Sequence, residues 1–201
     1  MRARRLPVPL TLLVAAPLLL AACGSDDGGS EDEDQITATI EQAATTDEAA
    51  NCTEVQTQAF SEQTEFTQGA EAVTTCEENA GDGDIAGDSV EVENIEVDGE
   101  TATADVTFTG GGLNGQALAV SLVKEGGQWK LDSLDEFITF DKASFAQGLV
   151  EGASSDGETS QQAIDCIEQA IIATPDEELQ TIYLSGDEQQ LLGLFGQCFQ
   201  Q

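Results

Sequence analysis

From Val90 to Leu131 the chain alternates apolar and polar residues, and that period of two leaves few folds open. The clearest run puts Ala102, Ala104, Val106 and Phe108 on one face and Thr101, Thr103, Asp105 and Thr107 on the other, the pattern of a strand buried on one side only. Before it, Val90 and Val92 fall out of phase with Ile95 and Val97 near Asn94, which predicts a bulge. Asp98-Gly99 between the two runs is a hairpin signal. Leu118, Val120 and Leu122 form a third segment, and Trp129 and Leu131 a fourth, joined through Lys124-Glu125-Gly126-Gly127-Gln128. Together they predict an antiparallel meander whose apolar face must be covered.

Helical spacing on both sides supplies the cover. Ile36, Ile40, Ala43 and Ala44 share one stripe, Cys52, Val55, Ala59 and Phe60 a second, and Val73 and Cys76 sit on a third short helix. From about Phe140 the pattern is helical again, with Ala163, Ile164, Ile167, Ala170 and Ile171 on one stripe and Leu191, Leu192, Leu194, Phe195, Cys198 and Phe199 on another. Thr174-Pro175-Asp176-Glu177 predicts a helix start with Thr174 as cap, Pro175 first and Glu177 closing a capping box. Ser154 to Gly157 read as a linker. The expected class is α+β: N-terminal helices packed on a curved antiparallel sheet over residues 36–137, then a small helical appendage over residues 138–201.

The first residues carry an address. Arg2, Arg4 and Arg5 precede an apolar stretch from Leu6 to Leu20, interrupted by Pro7, Pro9 and Pro17, and then comes Leu20-Ala21-Ala22-Cys23-Gly24. Positive start, apolar middle and small residues at the cut define a secretory signal, here residues 1–22. The stretch is shorter than the roughly 20 apolar residues of a membrane-spanning helix. Leu20 to Cys23 resemble the bacterial lipobox, which implies that Cys23 is lipidated and holds the chain at the outer face of the cytoplasmic membrane. An acyl anchor of two or more chains is durable, because each buried methylene contributes about 0.8 kcal/mol. Residues 24–35 contain no apolar residue and many acids, and with Cys23 they are expected to form an acidic disordered tether.

Without the three arginines only Lys124, Lys130 and Lys142 face 39 acidic residues. Nucleic acid is excluded as a partner, since its binding needs cationic side chains to displace counterions. So much like charge destabilises a folded chain unless salt or cations screen it, and both high salt and a cation-rich envelope fit. With Cys23 lipidated, four cysteines remain, and an exported chain meets an oxidising compartment. Three pairings exist; Cys52 with Cys76 and Cys166 with Cys198 are favoured because each pair lies within one local group of helices. A metal site is the weaker reading, for the chain has no histidine and no closely spaced cysteines.

Helices followed by a curved sheet ending in Gly-Gly-Gln-Trp-Lys-Leu are similar to the nuclear transport factor 2-like superfamily, in its small lipoprotein branch of unassigned activity. The resemblance covers residues 36 to 137 and rests on element order, on Ala102-Thr103-Ala104-Asp105-Val106-Thr107-Phe108 and on Trp129-Lys130-Leu131-Asp132-Ser133-Leu134. It implies a cone-shaped sheet around an apolar pocket, which does not by itself assign a function. Enzymes of that group place acid, tyrosine or histidine side chains inside the cone. Here histidine is missing, Tyr183 is expected outside the domain, and Asp105 falls on the wet face.

Three motifs have plainer explanations. Gly110-Gly111-Gly112-Leu113-Asn114-Gly115 spells the dinucleotide fingerprint, but a strand follows where the fingerprint requires a helix N-terminus, so a hairpin loop is expected. Asp82 to Glu93 approaches a calcium loop, yet Ala86 and Ser89 replace a ligand and the apolar anchor, which favours an acidic turn. Trp129 could stack on a ligand, although an aromatic on a half-buried sheet is more often packing. No catalytic residue, metal ligand or cofactor is expected. The leading expectation is a non-enzymatic lipoprotein binding a small apolar or amphipathic ligand with Ala104, Val106, Phe108, Val120 and Trp129; the alternative is a scaffold with a filled cone that docks another envelope protein.

Overall fold

The period-two segments become one sheet with a single apolar side. The computed structural model describes residues 28–81, 86–155 and 159–200, so the signal residues, Cys23 and positions 82–85 of the acidic turn lie outside the described residues. Strands β1 (Ser89–Asp98), β2 (Thr101–Thr109), β3 (Ala117–Glu125) and β4 (Gln128–Thr139) pair antiparallel in sequence order. Their register slips between Glu93 and Glu96, where Asn94 takes a φ of 51° and donates its side-chain amide to Asp105 Oδ2 at 2.7 Å. The predicted bulge is therefore present, pinned on the outer face. Gly126 and Gly127, with φ of 60° and 89°, close the last hairpin in the left-handed region that such two-residue turns require. Three register shifts between β3 and β4 bend that pair.

Helix α1 (Gly28–Thr45) covers the apolar face, burying Ile36 and Ile40 against Leu122, Trp129 and their neighbours. It begins well before Ile36, inside the stretch expected to be an unstructured tether. Acidic residues in a first turn are favoured by the partial positive charge of a helix N-terminus. Asp32 also finds partners: its Oδ1 accepts from Lys124 Nζ at 2.5 Å and from the Trp129 indole Nε1 at 2.9 Å. Local repulsion among the acids, which argued for disorder, is outweighed by these contacts.

The second apolar stripe is split into α2 (Asn51–Glu54) and α3 (Gln58–Thr64). Between them Gln56 pairs in parallel with Leu131, whose N–H donates to Val55 O while its carbonyl accepts from Thr57 N, both at 2.9 Å. Thr57 ends any continuous helix because its hydroxyl caps the next one, accepting from Phe60 N at 3.2 Å. Helix α4 (Ala70–Asn79) follows, and Cys76 bonds to Cys52.

The C-terminal third forms α5 (Lys142–Ser155), α6 (Gln161–Ala173), α7 (Asp176–Ser185), α8 (Glu188–Phe195) and a 3₁₀ turn, Cys198–Gln200, with Cys166 bonded to Cys198. Ser154 lies in α5, not in a linker: its hydroxyl donates to Val150 O at 2.5 Å, one turn back. Gly157 lies outside the described residues. Thr174 ends α6 instead of capping α7, since its hydroxyl donates to Ala170 O at 2.8 Å and leaves Pro175 at the next helix's N-cap without a side-chain bond.

These helices are built into the sheet domain and do not hang from it. Fully buried Gln116 donates to Asp141 O and accepts from Asp141 N, both at 2.9 Å, tying the β2–β3 loop to the start of α5. Gln63 donates to both Leu134 O and Leu184 O at 2.7 Å, joining α3, β4 and α7. Phe137, Phe140, Phe145 and Tyr183 stack edge to face or tilted across the expected boundary, with ring centres 5.0 to 6.1 Å apart. Where α5 crosses the glycine loop, a Cβ on Gly148 would stand 2.1 Å from Gly112 O, so only glycine allows the approach.

Candidate functional site

Small residues leave space where the helices meet the sheet. Along α5, Phe145, Gly148, Leu149, Gly152 and Ala153 follow the spacing of one helix face, and Ala43 and Ala44 end the inner stripe of α1. None of the alanines and glycines reaches across the gap. A cavity of about 450 Å³ remains, with mostly apolar walls from the sheet (Val106, Phe108, Val120, Leu131 and Leu134) and from these helices. That volume lies within the range of ligand pockets, about 300–1,000 Å³.

Of the five residues expected to line such a space, Val106, Phe108 and Val120 do. Ala104 and Trp129 do not. Ala104 pairs with the wall residue Val120 without reaching the cavity, and Trp129 lies at the β3–β4 hairpin end; each is 2 % exposed, and Trp129 is held by Asp32 with the Lys124 ammonium 5.3 Å from its ring centre. Trp129 is thus packing, and its N–H is spent on a carboxylate. The glycine loop runs into a strand, as its sequence context implied, and contributes Gly110, Gly112 and Leu113 to the wall.

Four titratable side chains that the sequence reading did not place here border the cavity, and burial shifts two of them, Glu65 and Tyr183. Glu65 follows α3 and accepts from Asn79 Nδ2 at 2.9 Å; burial raises its carboxyl above the ordinary range and outweighs that bond. Tyr183, expected outside the domain, reaches the cavity from α7, with its ring 6.1 Å from that of Phe66, a residue at a left-handed φ of 51°. Burial, and then the charge of Glu65, push its hydroxyl up to about 12, so it stays protonated at neutral pH and can donate. The sequence did carry one signal for this wall: the Gly148, Gly152, Ala153 face of α5 is too small to fill a core.

Asp47 and Glu48, after α1, complete the acidic side of the rim, with Asn51 and Asn79 as amides. The three lysines all lie elsewhere, Lys124 paired with Asp32, Lys130 with Glu125 and Lys142 with Asp176. Asp105 and Glu100 stand outside the cavity, the first half-exposed and the second exposed. Among the described residues no group of three or more His, Cys, Asp or Glu side chains could hold a metal ion, and no helix is long and apolar enough to cross a membrane. No family model matches the chain, and neither the curated proteins nor the solved structures compared with it yield a match, so the cavity itself has to carry the functional reading.

Proposed function

We propose that this chain is an extracytoplasmic lipoprotein, held by lipid on Cys23 at the outer face of the cytoplasmic membrane, whose nuclear transport factor 2-like cone carries a small apolar or amphipathic molecule without transforming it. The observation that supports the carrier reading is the cavity of about 450 Å³, walled by Val106, Phe108, Val120, Phe145 and Leu149. An apolar space this large represents lost packing if it stays empty, since its lining forfeits dispersion contacts. A bound apolar molecule restores them. Of the two shifted groups in the cavity, Tyr183 holds its proton far above neutral pH and supplies no general base, which leaves Glu65 as the group on which an enzymatic reading would have to rest.

The second reading, a scaffold for another envelope protein, draws on Ile172, Leu192 and Phe199, which are 62 %, 54 % and 61 % exposed on the C-terminal helices. It does not account for the cavity. Native mass spectrometry of the chain exported from a bacterial host with Cys23→Ser, to keep it free of membrane, separates the two. An adduct of several hundred daltons that disappears on denaturation is the expected result. A bare chain in repeated preparations, unable to take up any apolar probe, overturns the carrier reading. Mass analysis of the unsubstituted protein tests the anchor, through the acyl mass added at Cys23.

A further inference from the structure

Tyr183 is mounted with little freedom and given no polar companion. Its ring lies against those of Phe66, Phe137 and Phe145, with centres 5.3 to 6.1 Å away. The backbone beside it is tied down, because Gln63 donates to Leu184 O at 2.7 Å and a Cβ on Gly186 would stand 2.6 Å from Gln63 Cα. Among the described residues no hydrogen bond reaches the Tyr183 hydroxyl, although every fully enclosed side-chain oxygen and nitrogen has a partner. The hydroxyl is therefore not walled in and opens on free space. That space is apolar: Tyr183, with Phe66, Phe145, Leu149 and Ala153, stands between the cavity of about 450 Å³ and an adjoining one of about 200 Å³, whose other walls include Ile167.

We infer that the ligand is an uncharged, largely hydrocarbon molecule that presents a carbonyl oxygen to the Tyr183 hydroxyl. The inference rests on the carrier reading above and deepens it. A hydroxyl withdrawn from water without a partner is unfavourable, and an acceptor brought by the ligand removes that penalty on binding. Burial, and then the charge of Glu65, keep the phenol protonated at neutral pH, so the group stands ready to donate. A plain hydrocarbon would leave the O–H unmatched, and an ammonium has no lone pair to receive it. A carboxylate placed there would meet the same Glu65 charge that disfavours the phenolate. A ketone or ester has the lone pairs without the charge, and it brings no donor of its own for apolar walls to satisfy.

The test compares hexanophenone, hexylbenzene and 4-pentylbenzoate, three molecules of similar size, each displacing a neutral dye from the exported Cys23→Ser chain and from its Tyr183→Phe variant at neutral pH. Hexanophenone should lose about three- to tenfold in affinity on Tyr183→Phe, the effect of one neutral hydrogen bond. Hexylbenzene, which has a methylene where the ketone has its carbonyl, should change by less than about twofold. The carbonyl stretch of bound hexanophenone should lie at lower frequency in the parent than in the variant. Without ligand, Tyr183→Phe should melt no lower than the parent, since it removes a hydroxyl that the protein does not engage. Ketone and hydrocarbon equally affected by the substitution, or 4-pentylbenzoate bound more tightly than the ketone, overturns the inference while the carrier reading stands. A melting temperature lowered by several degrees also overturns it, by showing that the protein itself holds the hydroxyl. If none of the three probes binds, the carrier reading fails and the inference with it.

Discussion

The two ends of the sheet's inner face share one alternation pattern and end in opposite states. At the β3–β4 hairpin, Leu122 and Trp129 pack under Ile36 of α1, and Asp32 seals the indole N–H. At the other end, beyond Ile40, the helix offers Ala43 and Ala44, and Phe108 looks into a cavity. Strand periodicity states which side is inside; how completely that side is filled depends on the residues of the elements laid over it. One helix, α1, fills the sheet with isoleucines over its middle and leaves it open with alanines at its end.

Truncation should expose this contrast most strongly. Trp129→Ala removes a ring enclosed on every side and is expected to cost about 3–5 kcal/mol, whereas Phe108→Ala, whose ring already borders open space, should cost under about 2 kcal/mol. Chemical denaturation of both variants checks it, and equal losses would mean that the cavity end is as tightly packed as the hairpin end. Next in size is Gly148→Ala. The added methyl has no room against Gly112 O, so a loss of about 1–3 kcal/mol is expected together with weaker uptake of an apolar dye, as α5 is pushed off the glycine loop.

The two carboxylates at opposite ends should answer pH in opposite directions. The Lys124 and Trp129 bonds hold the Asp32 carboxyl below the usual aspartate range, so its contribution is present above the unfolded value of 3.8 and is lost as pH falls through the depressed folded value. Asp32→Asn should therefore lower the melting temperature at neutral pH and lose that effect in strong acid. Glu65 is the reverse. Its folded pKa lies above the unfolded value of 4.5, so the folded state binds the extra proton and stability declines as pH rises between the two. Ligand-free Glu65→Gln is expected to be more stable than the parent at neutral pH, by under about 1 kcal/mol because the group is partly solvated, and indistinguishable from it near pH 4. Thermal melts at both pH values decide each case.

Much of the sheet was readable because each strand needs only its own residues and its turn to declare itself. The bulge at Asn94, the Gly126-Gly127 hairpin and the apolar row from Ala102 to Phe108 are all of that kind. Elements whose conformation is settled by a distant partner were not readable. The helix around Asp32 depends on Lys124 and Trp129, far along the chain, and the break at Thr57 on Leu131. Thr174 was assigned to the wrong helix because a threonine before a proline serves equally well to end one helix as to begin another. For the cavity, Val106, Phe108 and Val120 followed from strand phase, but Glu65 and Tyr183 come together only once Gln63 has joined α3 to α7. Nothing in their own neighbourhoods marks them as companions.

The bond between Asp32 and the hairpin also fixes a length of leash. If Cys23 carries the anchor, only five peptide units separate it from the first turn of α1 at Gly28, a reach of at most about 18 Å. Ala43, on the cavity wall, lies eleven residues farther up the same helix than Asp32, roughly 16 Å at the helical rise. The docked end of the sheet then stays moored near the lipid headgroups, and the cavity is carried outboard. Anything passing between the bilayer and the cavity would have to round the flank of the protein, while molecules arriving from the surrounding fluid would meet it directly.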